Sequence, residues 1–327
     1  MTATPLLPHP TATPERATHV EAARRVVANV TSVVHGRDRA VELVACALLA
    51  GGHVLIEDVP GSGKTTLARA FSRSVGGVFQ RVQATADLLP GDITGSGVWE
   101  HDAQRFRFVP GPLFANVILV DELNRTPART QSAFLEAMEE HAVTVDGVRH
   151  PLPDPFFLVA TQNPLEQHGT FPLPEGQLDR FAIGLTLGPI DQATERRVVR
   201  EQLAHATVDD LSPVISSEGL LALRTATRAT HVADAVLDHA VAVVRATRDD
   251  PRIRVGASSR AALALVRCAQ GRALLQGRDY VVPDDTQLLA GAVLAHRVRL
   301  ADGPTDRARA EHAIREVVAR VPVPVGR

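Results

Sequence analysis

The stretch "IEDVPGSGKTTLARA", residues 56–70, holds the single lysine of a 327-residue chain in which every other permanently charged basic side chain is arginine. That asymmetry makes Lys64 informative. Most surface sites accept either cation, whereas a tight phosphate cradle admits a compact ammonium and clashes with a broad planar guanidinium. Around it, residues 58–65, "DVPGSGKT", match the phosphate-loop pattern G-x-x-x-x-G-K-[ST] at every fixed position except the first, where Asp58 replaces glycine. Gly61 and Gly63 still let backbone N–H groups approach phosphate. Pro60, Gly61, Ser62, Gly63, Lys64, Thr65 and Thr66 are therefore the nucleotide-binding candidates. Lys64 is placed to reach the β- and γ-phosphates, Thr65 to offer its hydroxyl to Mg²⁺, and Thr66 to sit by the α- and β-phosphates.

The flanks fit that reading. "HVLIED" (53–58) is an apolar run with the look of a buried strand, and "KTTLARAFSRSV" after the loop reads as a helix. Further strands are expected at "FQRVQA" (79–84), "NVILVDE" (116–122), "FFLVATQN" (156–163) and "AIGLTLG" (182–188). Short apolar runs alternating with helical patterns indicate a parallel sheet covered by helices on both faces. Two of the runs end in polar residues, where the carboxyl edge of such a sheet places a site. "VILVDE" delivers Asp121 to a Mg²⁺ shell and Glu122 to the side of the γ-phosphate, where a carboxylate can polarise water. Asn163 is the polar residue that the neighbouring strand aims at the same water. Two hairpin-like insertions, residues 97–111 and 141–153, interrupt the α/β pattern without an evident role in folding.

After about residue 210 strand signals stop, and a separate helical domain is expected over 211–327. Within 256–276, Leu263, Val266, Ala269 and Ala273 recur at helical spacing and predict one apolar face. The Pro/Thr-rich residues 1–18 are expected to form a disordered tail, with no pattern of a secretion signal.

Composition narrows the function classes. The chain is 45% hydrophobic and 22% charged, as a packed globular protein is, and its formal net charge of −2 comes with scattered basic residues. That is not the footprint of nucleic-acid backbone binding. No run reaches the roughly 18 apolar residues of a membrane span. Cys46 and Cys268 lie far apart in apolar stretches and read as reduced core residues, so a cytoplasmic location is expected. The 13 histidines show no metal-ligand spacing, which leaves nucleotide-bound Mg²⁺ as the metal expected.

Taken together, "DLLPGDITG", "VPGPLFANVILVDELNRTPARTQSAFLEAMEE", "VATQNP", "GTFPLPEGQLDRF", "GASSRAAL" and "GRDYVVPDD" resemble the MoxR family of AAA+ ATPases over roughly residues 30–300. The resemblance implies an αβα phosphate-loop NTPase core over 19–210 and a C-terminal all-α lid over 211–327. It also implies ATP hydrolysis with ADP as product, a homo-oligomeric ring, commonly hexameric, and a chaperone-like role on protein partners such as von Willebrand factor A domain proteins. The two insertions resemble the helix-2 insert and the pre-sensor-1 hairpin, which in related rings face the pore or the partner. By the same resemblance Asn163 matches sensor 1, Arg180 in "QLDRF" the arginine finger, and Arg260 in "GASSRA" the sensor 2 arginine. Ser259 departs from a frequent proline, and "VVHGR" (33–37) departs from the usual Val-Gly-Gln text, which leaves the adenine pocket unassigned. Arg125 and Arg129 flank a helix start, with Thr126 and Pro127 at the N-cap and first helical positions. They read either as interface residues or as solvated charges. Two other functions stay open: a slowly hydrolysing nucleotide switch that holds a partner, and a nucleic-acid translocase, which the missing basic stripes disfavour.

The lone lysine yields a first prediction. Lys64→Arg keeps the charge but is expected to lose ATP binding nearly as fully as Lys64→Ala, because shape decides in the cradle. Titration with a fluorescent ATP analogue measures this, and near-normal affinity in the arginine variant would overturn it.

Overall fold

The computed structural model describes residues 14–58, 61–163, 169–204, 208–303 and 306–324. The chain opens with helices α1 (Pro14–Thr31) and α2 (Asp38–Ala50), then strand β1 (Val54–Glu57), helix α3 (Lys64–Ser74) and strand β2 (Phe79–Gln83). A short helix α4 (Pro90–Thr94) leads into the first insertion, β3 (Gly95–Glu100) and β4 (Arg105–Pro110). Next come β5 (Val117–Asp121), α5 (Ala128–Glu140), the second insertion β6 (Ala142–Val145) and β7 (Val148–Pro151), and β8 (Phe157–Gln162). After the short helix α6 (Glu175–Leu178) the core closes with β9 (Ile183–Leu185) and α7 (Gln192–Leu203). The remainder is helical: α8 (Ser217–Arg228), α9 (Asp234–Asp249), α10 (Ser259–Leu275), α11 (Pro283–Leu294) and α12 (Arg307–Arg320), with a small ribbon of β10 (Ile253–Val255) and β11 (Arg299–Leu300).

The main sheet has the order β2-β5-β8-β1-β9 with every pairing parallel. Strand alternation divides its side chains between two cores. Val54, Ile56, Val117, Leu119, Phe157 and Val159 face one apolar cluster, while Leu55, Ile118, Val120, Leu158 and Ala160 face the other. Both faces are thus dry, which is why these strands read as continuous apolar runs rather than alternating ones.

The second cluster is filled from α5 and its surroundings by Phe134, Leu135, Met138 and Phe156. The first continues without a break through α1, α2 and α3 into α8–α12. The helical region therefore shares a core with one face of the sheet instead of packing by itself. Gly271 of α10 shows how close the approach is: a Cβ there would lie 2.9 Å from the Cys46 carbonyl oxygen of α2. Cys46 and Cys268 are buried and unpaired in this same cluster, and burial pushes the Cys268 thiol up to about 12.

Three local expectations shift. Helix α1 starts at Pro14, inside the stretch expected to be a tail through residue 18, because proline and Glu15 suit a first helical turn. Arg16 then pins it to the C-terminal helical region by donating to Ala226 O, Thr230 Oγ1 and Arg278 O. In α5 the N-cap is Pro127, not Thr126, whose hydroxyl instead donates to Leu123 O at 2.8 Å. On α10, Ala269 and Ala273 are buried as expected, but Leu263 is 56% exposed, and Ala261, Leu265 and Cys268 complete the buried face, toward which α2 approaches.

Both insertions are antiparallel hairpins. They touch through Phe108 and His150, whose rings stack at 3.8 Å, while Trp99 and Phe106 form an exposed edge-to-face pair at 5.1 Å on the first hairpin.

His53, at the start of β1, locks the second core. Its Nδ1 accepts from Leu158 N at 3.0 Å and its Nε2 donates to Met138 O at 3.1 Å, tying β8 to α5. Burial holds this imidazole neutral, down to about 3 from 6.5. The folded value lies below the unfolded one, so its stabilisation is full above about pH 6.5 and is lost as pH falls toward about 3. His53→Gln, which can pair with backbone groups without titrating, is predicted to flatten that part of the melting-midpoint profile. Parallel profiles for parent and variant would overturn the assignment.

Candidate functional site

The parallel register brings the carboxyl ends of four strands level. Gln83 pairs with Asp121, and Glu57 pairs with Gln162, so Asp58 and Asn163 follow at the same edge. The loop from β1 to α3 crosses that edge. Gly61 (φ +81°) and Gly63 (φ +94°) adopt left-handed backbone that a side chain would strain, and among the described residues neither meets another atom within 4 Å of an added Cβ. The loop is thus open on the side where phosphate would lie. Helix α3 begins at Lys64, so its free N–H groups point into the same space.

Gly61, Ser62, Gly63, Lys64, Thr65, Thr66, Asp121, Glu122 and Asn163 all line one cleft of about 420 Å³. Pro60 lies outside the described residues. Ser62 Oγ is buried without a hydrogen-bond partner among the described residues, an arrangement that suits an incoming phosphate oxygen. Lys64 Nζ donates to Asp58 O at 3.2 Å, across the base of the loop. Thr65 and Asp121 supply hard oxygen donors of the kind Mg²⁺ takes, and Asp121 already faces a cation: Arg81 Nε lies 2.6 Å from Oδ2.

Glu122 has left-handed backbone (φ 57°, ψ 49°), which a non-glycine residue adopts only when its surroundings impose it. Thr161 imposes it from β8 by accepting the Glu122 N–H at 2.8 Å, and its hydroxyl lies 3.5 Å from Asp121 Oδ1. The Glu122 carboxylate is met by Arg125 Nε at 3.0 Å and Gln83 Nε2 at 3.4 Å. Arg125 therefore contacts the site within its own chain. Arg81, Gln83 and Thr161 were not singled out in the sequence. Thr161 had a signal, being a hydroxyl in a buried apolar run, but Arg81 and Gln83 matter only through the β2–β5 register.

The sequence departures have local explanations. Asp58, in place of the first loop glycine, accepts from Leu187 N at 2.9 Å and Gly188 N at 3.2 Å, so its carboxylate fastens the loop to the segment after β9. Arg37, the N-cap of α2, grips the same segment by donating to Leu187 O and Pro189 O. His35 pairs with Glu201 of α7 at 2.7 Å, and hydrogen bonds from Arg197 and then His35 hold the Glu201 carboxyl below its usual range. Ser259 occupies the first position of α10 behind the Ser258 N-cap, where either serine or proline is accommodated.

Arg180 and Arg260 are not in the cleft. Both reach Glu139 of α5, at 3.0 and 2.7 Å, on a different part of the surface. Arg129, at the start of α5, is also absent from the cleft lining.

Comparison with known proteins agrees with this geometry. Residues 53–183 match the model of the ATPase family associated with various cellular activities (AAA), and residues 245–317 match that of the AAA lid domain. The chaperone MoxR1 of Mycobacterium tuberculosis is 38% identical over 94% of this chain and 84% of its own length. The chain belongs to the MoxR family of AAA+ ATPases. An uncharacterized protein, YeaC of Bacillus subtilis, is 44% identical over 93% of this chain and 95% of its own length. A crystal structure of a candidate ATPase from Cytophaga hutchinsonii superposes with a TM-score of 0.85 at 32% identity, covering 95% of this chain and 97% of that one. The lid match falls on helices that share the first core with the sheet.

Thr161→Val keeps the shape of β8 but removes the acceptor of the Glu122 N–H. We expect nucleotide affinity to stay within about twofold while ATP turnover falls about 10- to 100-fold, because the carboxylate is no longer held in place. Turnover equal to the parent's would show that Thr161 does not position Glu122.

Proposed function

We propose that this protein binds ATP with Mg²⁺ in the cleft, hydrolyses it to ADP, and works as a homo-oligomeric, hexameric ring that remodels or assembles protein partners. The observation that carries this reading is the division of the charged groups. The loop, Asp121, Glu122 and Asn163 share one cleft, while Arg180 and Arg260 lie together outside it. A complete hydrolytic site then needs two copies, with the loop of one protomer facing the arginines of the next.

In this reading the N–H groups of residues 61–66 bind the phosphates and Lys64 spans the β- and γ-phosphates. Thr65 and Asp121 would hold Mg²⁺, which offsets phosphate charge when bound. Glu122 takes the proton of the attacking water and Asn163 orients that water. Arg180 of the adjacent protomer stabilises charge on the transferred phosphoryl group, and Arg260 reports from the lid. The name of the mycobacterial relative, a chaperone, supports protein partners for this chain, and proteins with von Willebrand factor A domains are our candidates. Buried unpaired Cys46 and Cys268 suit the reducing cytoplasm, where we place the protein. Among the described residues no helix is long and apolar enough to cross a membrane.

The test separates the two halves of the site. Arg180→Ala is expected to bind ATP yet lose about 10³- to 10⁵-fold in turnover, as removal of an arginine finger does. Glu122→Gln should also bind and barely turn over. Mixing the two under subunit exchange creates interfaces where an intact Glu122 meets an intact Arg180, so part of the activity should return. No recovery in mixed rings verified by mass spectrometry would refute action in trans.

A further inference from the structure

The meeting point of Arg180 and Arg260 is a single carboxylate that lies outside the phosphate cleft. Glu139, in the last turn of α5, receives Arg180 Nη2 on Oε2 at 3.0 Å and Arg260 Nη2 on Oε1 at 2.7 Å. Each oxygen serves a different arginine, one from the segment after α6 and one from the lid.

The backbone beside Arg180 is fixed by other means. Arg297, buried in the lid, donates to Asp179 Oδ1 at 2.9 Å, Asp179 O at 3.1 Å and Phe181 O at 2.7 Å. Ser258 Oγ donates to Asp179 Oδ2 at 2.7 Å. Residues 179–181 are therefore held to the lid without Glu139. What Glu139 decides is where the two guanidiniums point.

Stability does not account for the arrangement. The side chains of Arg180, Glu139 and Arg260 are 31%, 38% and 47% exposed, and ion pairs at such exposure contribute only about 0–1 kcal/mol. Two like charges gathered at one point also repel unless a carboxylate lies between them. Arg180 moreover keeps Nε buried with no hydrogen-bond partner among the described residues, a cost that leaves one donor of the fork in reserve.

We propose that Glu139 is a positioning residue that holds Arg180 and Arg260 as one pair, aimed across the protomer boundary, so that both guanidiniums engage the neighbour's phosphates together. The proposal rests on the reading of Arg180 as acting in trans. A triphosphate carries more negative charge than one carboxylate, so the pair transfers to it, and the lid moves with the arginine segment because Arg297 and Ser258 join them.

The test uses the full-length chain. Glu139→Gln keeps the shape and removes the charge. Its kcat is expected to fall about 10- to 100-fold while KM for ATP with Mg²⁺ and the affinity for a fluorescent ATP analogue stay within about twofold. Its melting midpoint should fall by no more than about 2–4 °C, the shift for loss of an exposed pair. Glu139→Asp retains the charge one methylene back and should recover part of kcat; it carries the same test if the glutamine variant does not fold.

Mixing then locates the lesion. Glu139→Gln with Glu122→Gln should regain activity, since the defects lie on opposite sides of an interface. Glu139→Gln with Arg180→Ala should not, since they lie on the same side. A kcat within about twofold of the parent for Glu139→Gln overturns the proposal. So does failure of Glu139→Gln to complement Glu122→Gln when Arg180→Ala does complement it. If Arg180→Ala also fails to complement Glu122→Gln, the trans reading itself falls, and the positioning role falls with it.

Discussion

The parallel pairing of β5 with β2 and β8 is the constraint on which the site depends. Val117–Asp121 is buried along its whole length, with side chains committed alternately to two cores. A slip by one residue would exchange the two sets, so the register has no freedom. That register sets Gln83 beside Asp121 and brings Thr161 to the Glu122 N–H. It also puts the end of β8 beside the end of β1, where the phosphate loop starts. The left-handed backbone of Glu122 follows from the same crowding of hydrogen bonds at the sheet edge, so the strain is maintained by the fold rather than by the residue's own preference.

Charge placement then distinguishes two kinds of arginine. Arg297 and Arg224 are buried and satisfied mainly by backbone carbonyls, and burial lowers Arg224 to about 10. Removing such a group's partners would strand a charge, which makes these residues part of the architecture. Arg180 and Arg260 sit at the surface, with one shared carboxylate. Little is lost energetically when they exchange that carboxylate for another anion. The first group joins the C-terminal helices to the core, and the second meets at a surface carboxylate.

The continuous first core gives this division a mechanical consequence. Helices α8–α12 and the sheet share apolar contacts, and Arg297 grips residues 179–181. Arg297 therefore ties the lid to the backbone on either side of Arg180. The paired hairpins, joined by the Phe108–His150 stack, lie on the other core's side, next to α5. Helix α5 follows Glu122 in the chain after a short turn and carries Glu139 in its last turn.

The sequence by itself determined the strands of the sheet and the residues that share the cleft, because those rest on local physics. A buried strand needs an apolar run, a phosphate loop needs Gly61, Gly63 and Lys64, and a strand-end acid needs only Asp121 and Glu122 next to "VILV". Asn163 was legible in the same way. Tertiary structure alone decided which residues answer one another at a distance. Arg81 and Gln83 reach the two acids through strand register, Asp58 binds residues 187 and 188 across the sheet edge, and Glu139 meets arginines 41 and 121 positions away. The buried face of α10 belongs to this second class: helical spacing marks that an apolar face exists, but the approach of α2 selects which one. Local pattern sets the backbone conformation, and contacts between distant segments become definite only when packing brings them together.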